Sequence, residues 1–304
     1  MKNHKSKLFI VSIILLAAIS LSTYSTRAVA DRRFEICTFC CPCYSTQHLC
    51  QAQFDALNYT NPNGHFVLMG SDAHRAELNA RGNFLGIYYN VLNDNYGSWT
   101  ATQKADDIEN NYVIPNFTST GVKPTWIALN EISSSWVSDA NYRAWVIAVA
   151  SRLKNTYSHT VITFTYYDNP GTANASSWQS LAAVSYIAVE KYLSGATVNA
   201  NGNSVSWCQT QYQTSLNTWL ANTGVSSTKL YYGEDFAQTT SGSSFGRAGC
   251  SYAGWDNAIK ARADAAHNIG FAGYFSYAWN WNQMNVSDAD LIHFEGTYAA
   301  KTLP

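Results

Sequence analysis

Charge is scarce in this chain of 304 residues: Asp, Glu, Lys and Arg together make up only 13%, against 46% hydrophobic and 14% aromatic residues. An intrinsically disordered chain needs the opposite balance, so that class is excluded. There is no cluster of Lys or Arg, which removes the electrostatic footprint of a nucleic-acid binder. No apolar run beyond the first 30 residues is long enough to span a bilayer, and the chain has no internal repeat and no low-complexity linker. A Gly-rich phosphate loop after the first strand-like run is also missing; Cys-Cys-Pro-Cys occupies that place. That argues against an open doubly wound dinucleotide-binding sheet.

What is present begins with a targeting pattern. Lys2, Lys5 and Lys7 precede an apolar run from Leu8 to Leu21, and Ala28-Val29-Ala30 supplies the small-x-small motif of a signal-peptidase site. The run falls short of the ~20 residues of a membrane-spanning helix. The expectation is a secretory signal peptide over 1–30 and an extracellular mature chain over 31–304, free of the membrane once cleaved. Removing Lys2, Lys5, Lys7 and Arg27 leaves 15 Lys+Arg against 20 Asp+Glu, a mildly acidic protein. Asn58, Asn116, Asn174 and Asn285 stand in Asn-x-Ser/Thr acceptor sites.

All seven cysteines lie in the mature part, five of them packed into Cys37-Thr-Phe-Cys40-Cys41-Pro-Cys43-x6-Cys50, with Cys208 and Cys250 far downstream. An exported chain points to disulfides, and the odd number leaves at least one thiol over. The competing reading is a metal centre, but adjacent Cys40 and Cys41 suit a tetrahedral ion poorly and two separated Cys-x-x-Cys pairs are absent. Disulfides and no metal are therefore expected, with Cys208 and Cys250 close to each other or to the N-terminal cluster.

Eight short runs rich in β-branched and aromatic residues punctuate the rest: Phe34–Phe39, His65–Met69, Phe84–Tyr89, Thr125–Leu129, Val161–Tyr167, Tyr186–Val189, Lys229–Tyr232 and Phe271–Tyr277. Helical patterns separate them, over Ser45–Asn58, Ala73–Ala80 and Thr100–Asn111. Tyr142, Trp145, Val146, Val149 and Leu153 recur at helical spacing behind a Ser138-Asp139 cap. Tyr212, Leu216, Trp219 and Leu220 form another apolar stripe, Trp255, Ile259 and Ala263–Ala266 a third, and Ser287-Asp288 opens a last helix. The stretch from Ser194 to Ser206 reads as a loop. Strands alternating with helices imply parallel pairing through right-handed crossovers. Eight such units in a mature chain of this length fit one α/β domain of about 250 residues, the (β/α)8 TIM barrel.

In such a barrel the working residues sit at the C-terminal ends of the strands. The fourth run ends in Asn130-Glu131, the fifth leads into Asp168-Asn169-Pro170, the sixth into Glu190-Lys191-Tyr192, the seventh into Gly233-Glu234-Asp235 and the eighth into Trp279-Asn280-Trp281. The chain has seven glutamates in all, so three at strand ends is a concentration. Strands four and seven lie on opposite sides of a ring of eight, which sets two carboxylates across the mouth. Cleaving a glycosidic bond needs such a pair, one acid to protonate the leaving oxygen and one carboxylate to attack the sugar carbon.

On these residues, Thr125-Trp-Ile-Ala-Leu-Asn130-Glu131 resembles the strand-four segment of clan A glycoside hydrolases, retaining enzymes built on the (β/α)8 barrel. The resemblance implies that Glu131 is the acid/base and Glu234, in Lys229-Leu-Tyr-Tyr-Gly-Glu234, the nucleophile. It further implies a sugar-lining role for Trp279 and a hydrogen bond from Tyr192 to the nucleophile, and it covers the whole barrel with short motifs. Many clan members read Asn-Glu-Pro where Ile132 follows here, and Glu190 is an additional carboxylate at its strand end. The spaced Asp residues of chitinases are missing before Glu131, which argues against their substrate-assisted mechanism.

The expected binding set is Asn130, Tyr192, Trp279, Trp281, Glu190 and His74, with Glu190 or His74 alternatively engaged in structural pairs. Trp99, Trp136 and Trp207 fall in expected loops as further sugar-stacking candidates, whereas Trp126, Trp145 and Trp219 read as core. The expected protein is a monomer acting on a carbohydrate substrate, with no cofactor. A barrel that only binds carbohydrate is the alternative, and a metalloprotein built on the cysteine cluster is a weaker one.

Overall fold

A computed structural model of the chain describes residues 33–36, 66–69, 84–89, 92–193, 195–235 and 271–277, with positions 261, 265 and 269. Eight strands close into a barrel in sequence order: β1 (Arg33–Ile36), β2 (Phe66–Met69), β3 (Phe84–Tyr89), β4 (Trp126–Leu129), β5 (Thr160–Thr165), β6 (Tyr186–Val189), β7 (Leu230–Asp235) and β8 (Gly273–Tyr277). Every neighbouring pair is parallel, and β8 returns to β1 with Phe34 opposite Tyr274. The eight runs read from the sequence coincide with these eight strands: β3 and β6 match to the residue, β4 and β8 begin one and two residues later, β5 stops at Thr165, and β7 runs on to Asp235.

Strands β4, β5 and β6 are buried along nearly their whole length because both of their faces are covered. Trp126, Ala128, Ile162, Phe164, Ala188, Tyr231 and Phe275 meet inside the barrel. Their alternate neighbours Ile127, Leu129, Val161, Ile187, Val189, Leu230 and Tyr232 join the larger outer core under the helices. Alternation at period two sorts one strand's residues into two separate cores.

The helices follow from their caps. Helix α1 (Ala101–Ile108) starts at Thr100, whose hydroxyl accepts from the Gln103 amide while the Gln103 side chain accepts from the Thr100 N–H. The helical path then continues through a π turn, Glu109–Val113, into α2 (Ile114–Thr120), so it runs past the Asn111 expected as its end. After β4 come a single turn, α3 (Ser135–Ser138), and the long α4 (Ala140–Asn155). The Asp139 carboxylate accepts from the Asn141 and Tyr142 amides and caps α4, as the sequence suggested. Its buried stripe is Tyr142, Trp145, Val146, Val149, Ala150 and Leu153. Helix α5 (Ala175–Val184) crosses from β5 to β6, and α7 (Val205–Thr223) leads towards β7. Ser204 caps α7, and Gly224 ends it at φ 68°, the left-handed conformation that glycine adopts without a Cβ clash.

Several expectations need correction. The stretch read as a loop from Ser194 to Ser206 contains a helix, α6 (Gly195–Ala200), and the first residues of α7. Trp207 therefore sits in the first turn of α7 and packs against the outer core instead of lining a loop. Trp136 is 1% exposed in α3, with its ring 4.3 Å from Trp178, so it belongs to the core with Trp126, Trp145 and Trp219. Asn174 is buried, and its amide donates to the carbonyls of Trp136 and Val137, so this acceptor site is engaged in the fold.

Among the described residues no helix is long and apolar enough to cross a membrane, and no His/Cys/Asp/Glu cluster could hold a metal ion. Cys208 is buried in α7. The other six cysteines, residues 1–30, the helices expected over Ser45–Asn58 and Ala73–Ala80, and the one from Ser287 lie outside the described residues. Of the helix expected around Trp255–Ala266, Ala261 and Ala265 are described, both helical and buried.

Candidate active site

Parallel pairing brings the C-terminal ends of all eight strands to one end of the barrel, so Asn130-Glu131 after β4, Glu190 after β6 and Glu234 within β7 share that end. Glu234 is a strand residue, in register with Ser276 of β8, because β7 extends to Asp235. β4 and β7 stand three positions apart in the ring, with β5 and β6 between them on the shorter side. They are thus separated across the mouth without being diametrically opposed.

The turn that carries Glu131 is fastened on several sides. Ile132 N–H donates to the Phe164 carbonyl on β5, and Leu92 N–H to the Asn130 carbonyl. The Asn93 amide donates to the Glu131 carbonyl at 2.7 Å. Tyr142 of α4 completes the clamp: its hydroxyl donates to Asn93 Oδ1 and accepts from the Ser133 N–H at 3.0 Å. Burial raises the pKa of that hydroxyl, and the amide oxygen of Asn93 can only accept, so the phenol is the donor in this bond. The Asn130–Glu131 peptide is cis. Glu131 and Asn130 are both half-buried. The Glu131 carboxylate forms no hydrogen bond or ion pair with another described residue.

Glu190 is fixed differently. Its N–H donates to the Thr165 carbonyl on β5, and its Oε1 accepts from the Tyr192 hydroxyl at 2.9 Å. The Tyr192 ring packs against the interior cluster, edge-on to Phe275 at 6.3 Å. The tyrosine expected to serve Glu234 thus has Glu190 as a partner. Lys191, between the two, turns to Asp168 at the end of β5, and Ser215 of α7 donates to the same carboxylate. That Lys191–Asp168–Ser215 link ties the β5 and β6 loops to a helix of the outer layer.

Tyr166 is a residue the sequence reading passed over. The sequence pattern places it inside the fifth strand, but β5 stops at Thr165, and Tyr166 is 45% exposed beside Tyr167, with ring centroids 4.5 Å apart. The Tyr167 hydroxyl reaches the Ser133 carbonyl, so this aromatic pair borders the Glu131 turn. Its position two residues beyond inward-facing Phe164 is the signal that could have found it. Trp99 is half-buried; its carbonyl accepts from the Trp145 indole at 2.9 Å, and the Lys104 ammonium lies 5.7 Å from its ring. His74, Trp279 and Trp281 lie outside the described residues, and for Glu234 the structure describes the backbone.

No protein-family model and no curated protein sequence matches the chain. Among solved structures it is similar to active domain 2 of a chitinase from Pyrococcus furiosus, at 10% identity over 90% of this chain and 96% of that one, TM-score 0.50. It is also similar to an endo-β-mannanase/endo-β-glucanase from Prevotella bryantii, at 12% identity over 89% of this chain and 49% of that one, TM-score 0.51. An endo-β-N-acetylglucosaminidase from Cordyceps militaris aligns at 14% identity over 90% of both chains, TM-score 0.49. All three are glycoside hydrolases. The resemblance to barrel glycosidases read from the sequence holds for the fold, and no one family is singled out. Fold likeness does not carry chemistry: a chitinase domain shares this barrel, while β4 here runs Trp126-Ile-Ala-Leu129 into Asn130-Glu131 with no Asp before the glutamate.

Proposed function

We propose that the protein is an exported retaining glycoside hydrolase that cleaves a polysaccharide or oligosaccharide, with Glu131 as acid/base and Glu234 as nucleophile. The observation that carries this reading is the closed parallel barrel, which gathers Glu131, Glu190 and Glu234 at the end where such barrels do chemistry. The signal-like residues 1–30 support export.

In the proposed reaction Glu234 attacks the anomeric carbon while Glu131 gives its proton to the departing glycosidic oxygen. This leaves a covalent glycosyl-enzyme. Glu131, now a carboxylate, takes a proton from water, and that water displaces Glu234 and regenerates both groups. The fastened turn suits an acid that must meet one oxygen in both half-reactions. Asn130, Glu190, Tyr192, His74, Trp279 and Trp281 form the proposed sugar-binding set, to which the exposed ring of Tyr166 is added as a stacking surface. The chemistry calls for no cofactor, and no second subunit is invoked.

The test is a screen of the purified protein against neutral and acidic polysaccharides, reading new reducing ends. Glu234→Ala should abolish turnover of every substrate. Glu131→Ala should keep the first step for aryl glycosides whose leaving group needs no proton, and lose natural substrates by at least a hundredfold. Equal losses on both substrate types would reject the assigned roles. Saturable polysaccharide binding without bond cleavage would instead favour a barrel that only binds carbohydrate.

A further inference from the structure

The opposite end of the barrel holds a cavity of about 230 Å3 at the N-terminal ends of β5, β6 and β7. Lys154, from the last turn of α4, and Lys229, immediately before β7, both line it, together with His159, Thr160, Ser185 and Tyr186. Two cations share one recess. Neither is in an ion pair with any described carboxylate, in contrast to Lys123, Arg152 and Lys191, each of which has one.

Their surroundings give each lysine only partial compensation. Lys154 Nζ donates to the Ala183 carbonyl at 2.8 Å, which occupies one of its three protons. Lys229 Nζ sits 4.8 Å from the centroid of the Tyr186 ring, a cation–π contact that leaves its protons for other partners. Burial lowers the pKa of Lys229, and the positive charge of Lys154 lowers it further. The remaining polar lining is mostly taken. The Ser185 hydroxyl serves the Tyr186 carbonyl, and His159 Nε2 lies 2.6 Å from Glu109. Thr160 also lines the recess.

We infer that this recess is a binding site for an oxyanion of the sulfate or phosphate type, either a free ion or an ester group carried on a glycan. Such a group has several acceptor oxygens, enough to receive protons from both ammonium groups. Its negative charge relieves the mutual repulsion of the two lysines, and charge-assisted hydrogen bonds of this kind are the stronger class. The inference is independent of the glycosidase reading, because the cavity lies at the other end of the barrel from Glu131.

Equilibrium dialysis of labelled inorganic sulfate against the full chain, at constant ionic strength in chloride, tests it. The expected result is saturable binding of one equivalent, competed by inorganic phosphate. Lys229→Met and Lys154→Gln should each weaken it at least tenfold, and Lys229→Arg should retain it. A sulfated oligosaccharide that competes where its unsulfated parent does not identifies a glycan ester as the source, and competition by the inorganic ions alone identifies a free anion. Absence of saturable binding, or binding unchanged in both Lys229→Met and Lys154→Gln, overturns the inference.

Discussion

Tyr142 shows how much one hydroxyl can hold. It joins Asn93 and Ser133, and Asn93 in turn fixes the carbonyl of Glu131. Tyr142→Phe keeps the ring in its packed site and leaves Asn93 Oδ1 and the Ser133 N–H short of a partner. The expected cost is about 1–3 kcal/mol of stability, read from urea unfolding. If Glu131 is the acid, turnover of unactivated glycosides should fall more than that of aryl glycosides with good leaving groups, since only the former need a well-placed proton. A uniform loss on both would mean that the hydroxyl serves stability alone. Gly233 makes the converse point, because there the absence of a side chain is what matters. A Cβ at this position would stand 2.3 Å from the Phe275 carbonyl oxygen and 2.5 Å from its ring. The backbone of the neighbouring strand cannot retreat without opening the β7–β8 pair. Gly233→Ala should therefore cost about 2 kcal/mol or more, in the range of overpacked cores, and a wild-type urea midpoint in that variant would refute the contact.

At the level of elements, the π turn after α1 is anchored to the sheet through Glu109. Its carboxylate meets His159, just ahead of β5, at 2.6 Å and Lys123 at 3.4 Å. Burial lowers the pKa of His159 below its ordinary value of about 6.5, although Glu109 opposes the shift. The unfolded chain thus binds this proton more readily than the folded one. The stabilising contribution of neutral His159 is complete above about pH 6.5 and is lost as the pH falls below that value and through the lowered folded pKa. Unfolding free energy should decline between pH 7 and 5.5, and His159→Asn should show a shallower decline over the same interval. An identical slope in the variant would remove His159 as the cause. The eight strands were legible because β-branched and aromatic runs such as Phe84–Tyr89 and Tyr186–Val189 stand between turn residues and need no tertiary information. The α4 cap was legible for the same local reason. Helix α6 was hidden: Gly-Ala-Thr-Val-Asn-Ala has poor helix formers, and packing of buried Val198 decides its state. The π turn and the burial of Trp136 also depend on partners distant in sequence, His159 and Trp178. At the site, strand-end glutamates could be read from spacing, but the pairing of Tyr192 with Glu190 and the clamp through Asn93 and Tyr142 are contacts between separate loops and helices that no local pattern encodes.

For the whole molecule, closure of the ring is the property on which the rest depends. β1 is only four residues long, Arg33–Ile36, yet it is the one strand that joins β2 to β8. Without it, two parallel strands would present open edges, and apolar residues such as Phe275 would lose one wall of the barrel interior. A chain beginning at residue 31, where the expected signal would be cut, keeps all of β1. It should unfold cooperatively in urea and elute as a compact species. A chain beginning at residue 37 lacks β1 altogether; it should lose the cooperative transition, aggregate on size exclusion and have no measurable turnover on any substrate that the longer chain cleaves. The two truncations differ by six residues, so composition and length are nearly held constant and the comparison isolates closure. Similar unfolding midpoints for both would show that the seven remaining strands close without β1, and the common rim assigned to Glu131, Glu190 and Glu234 would then no longer depend on an eight-stranded ring.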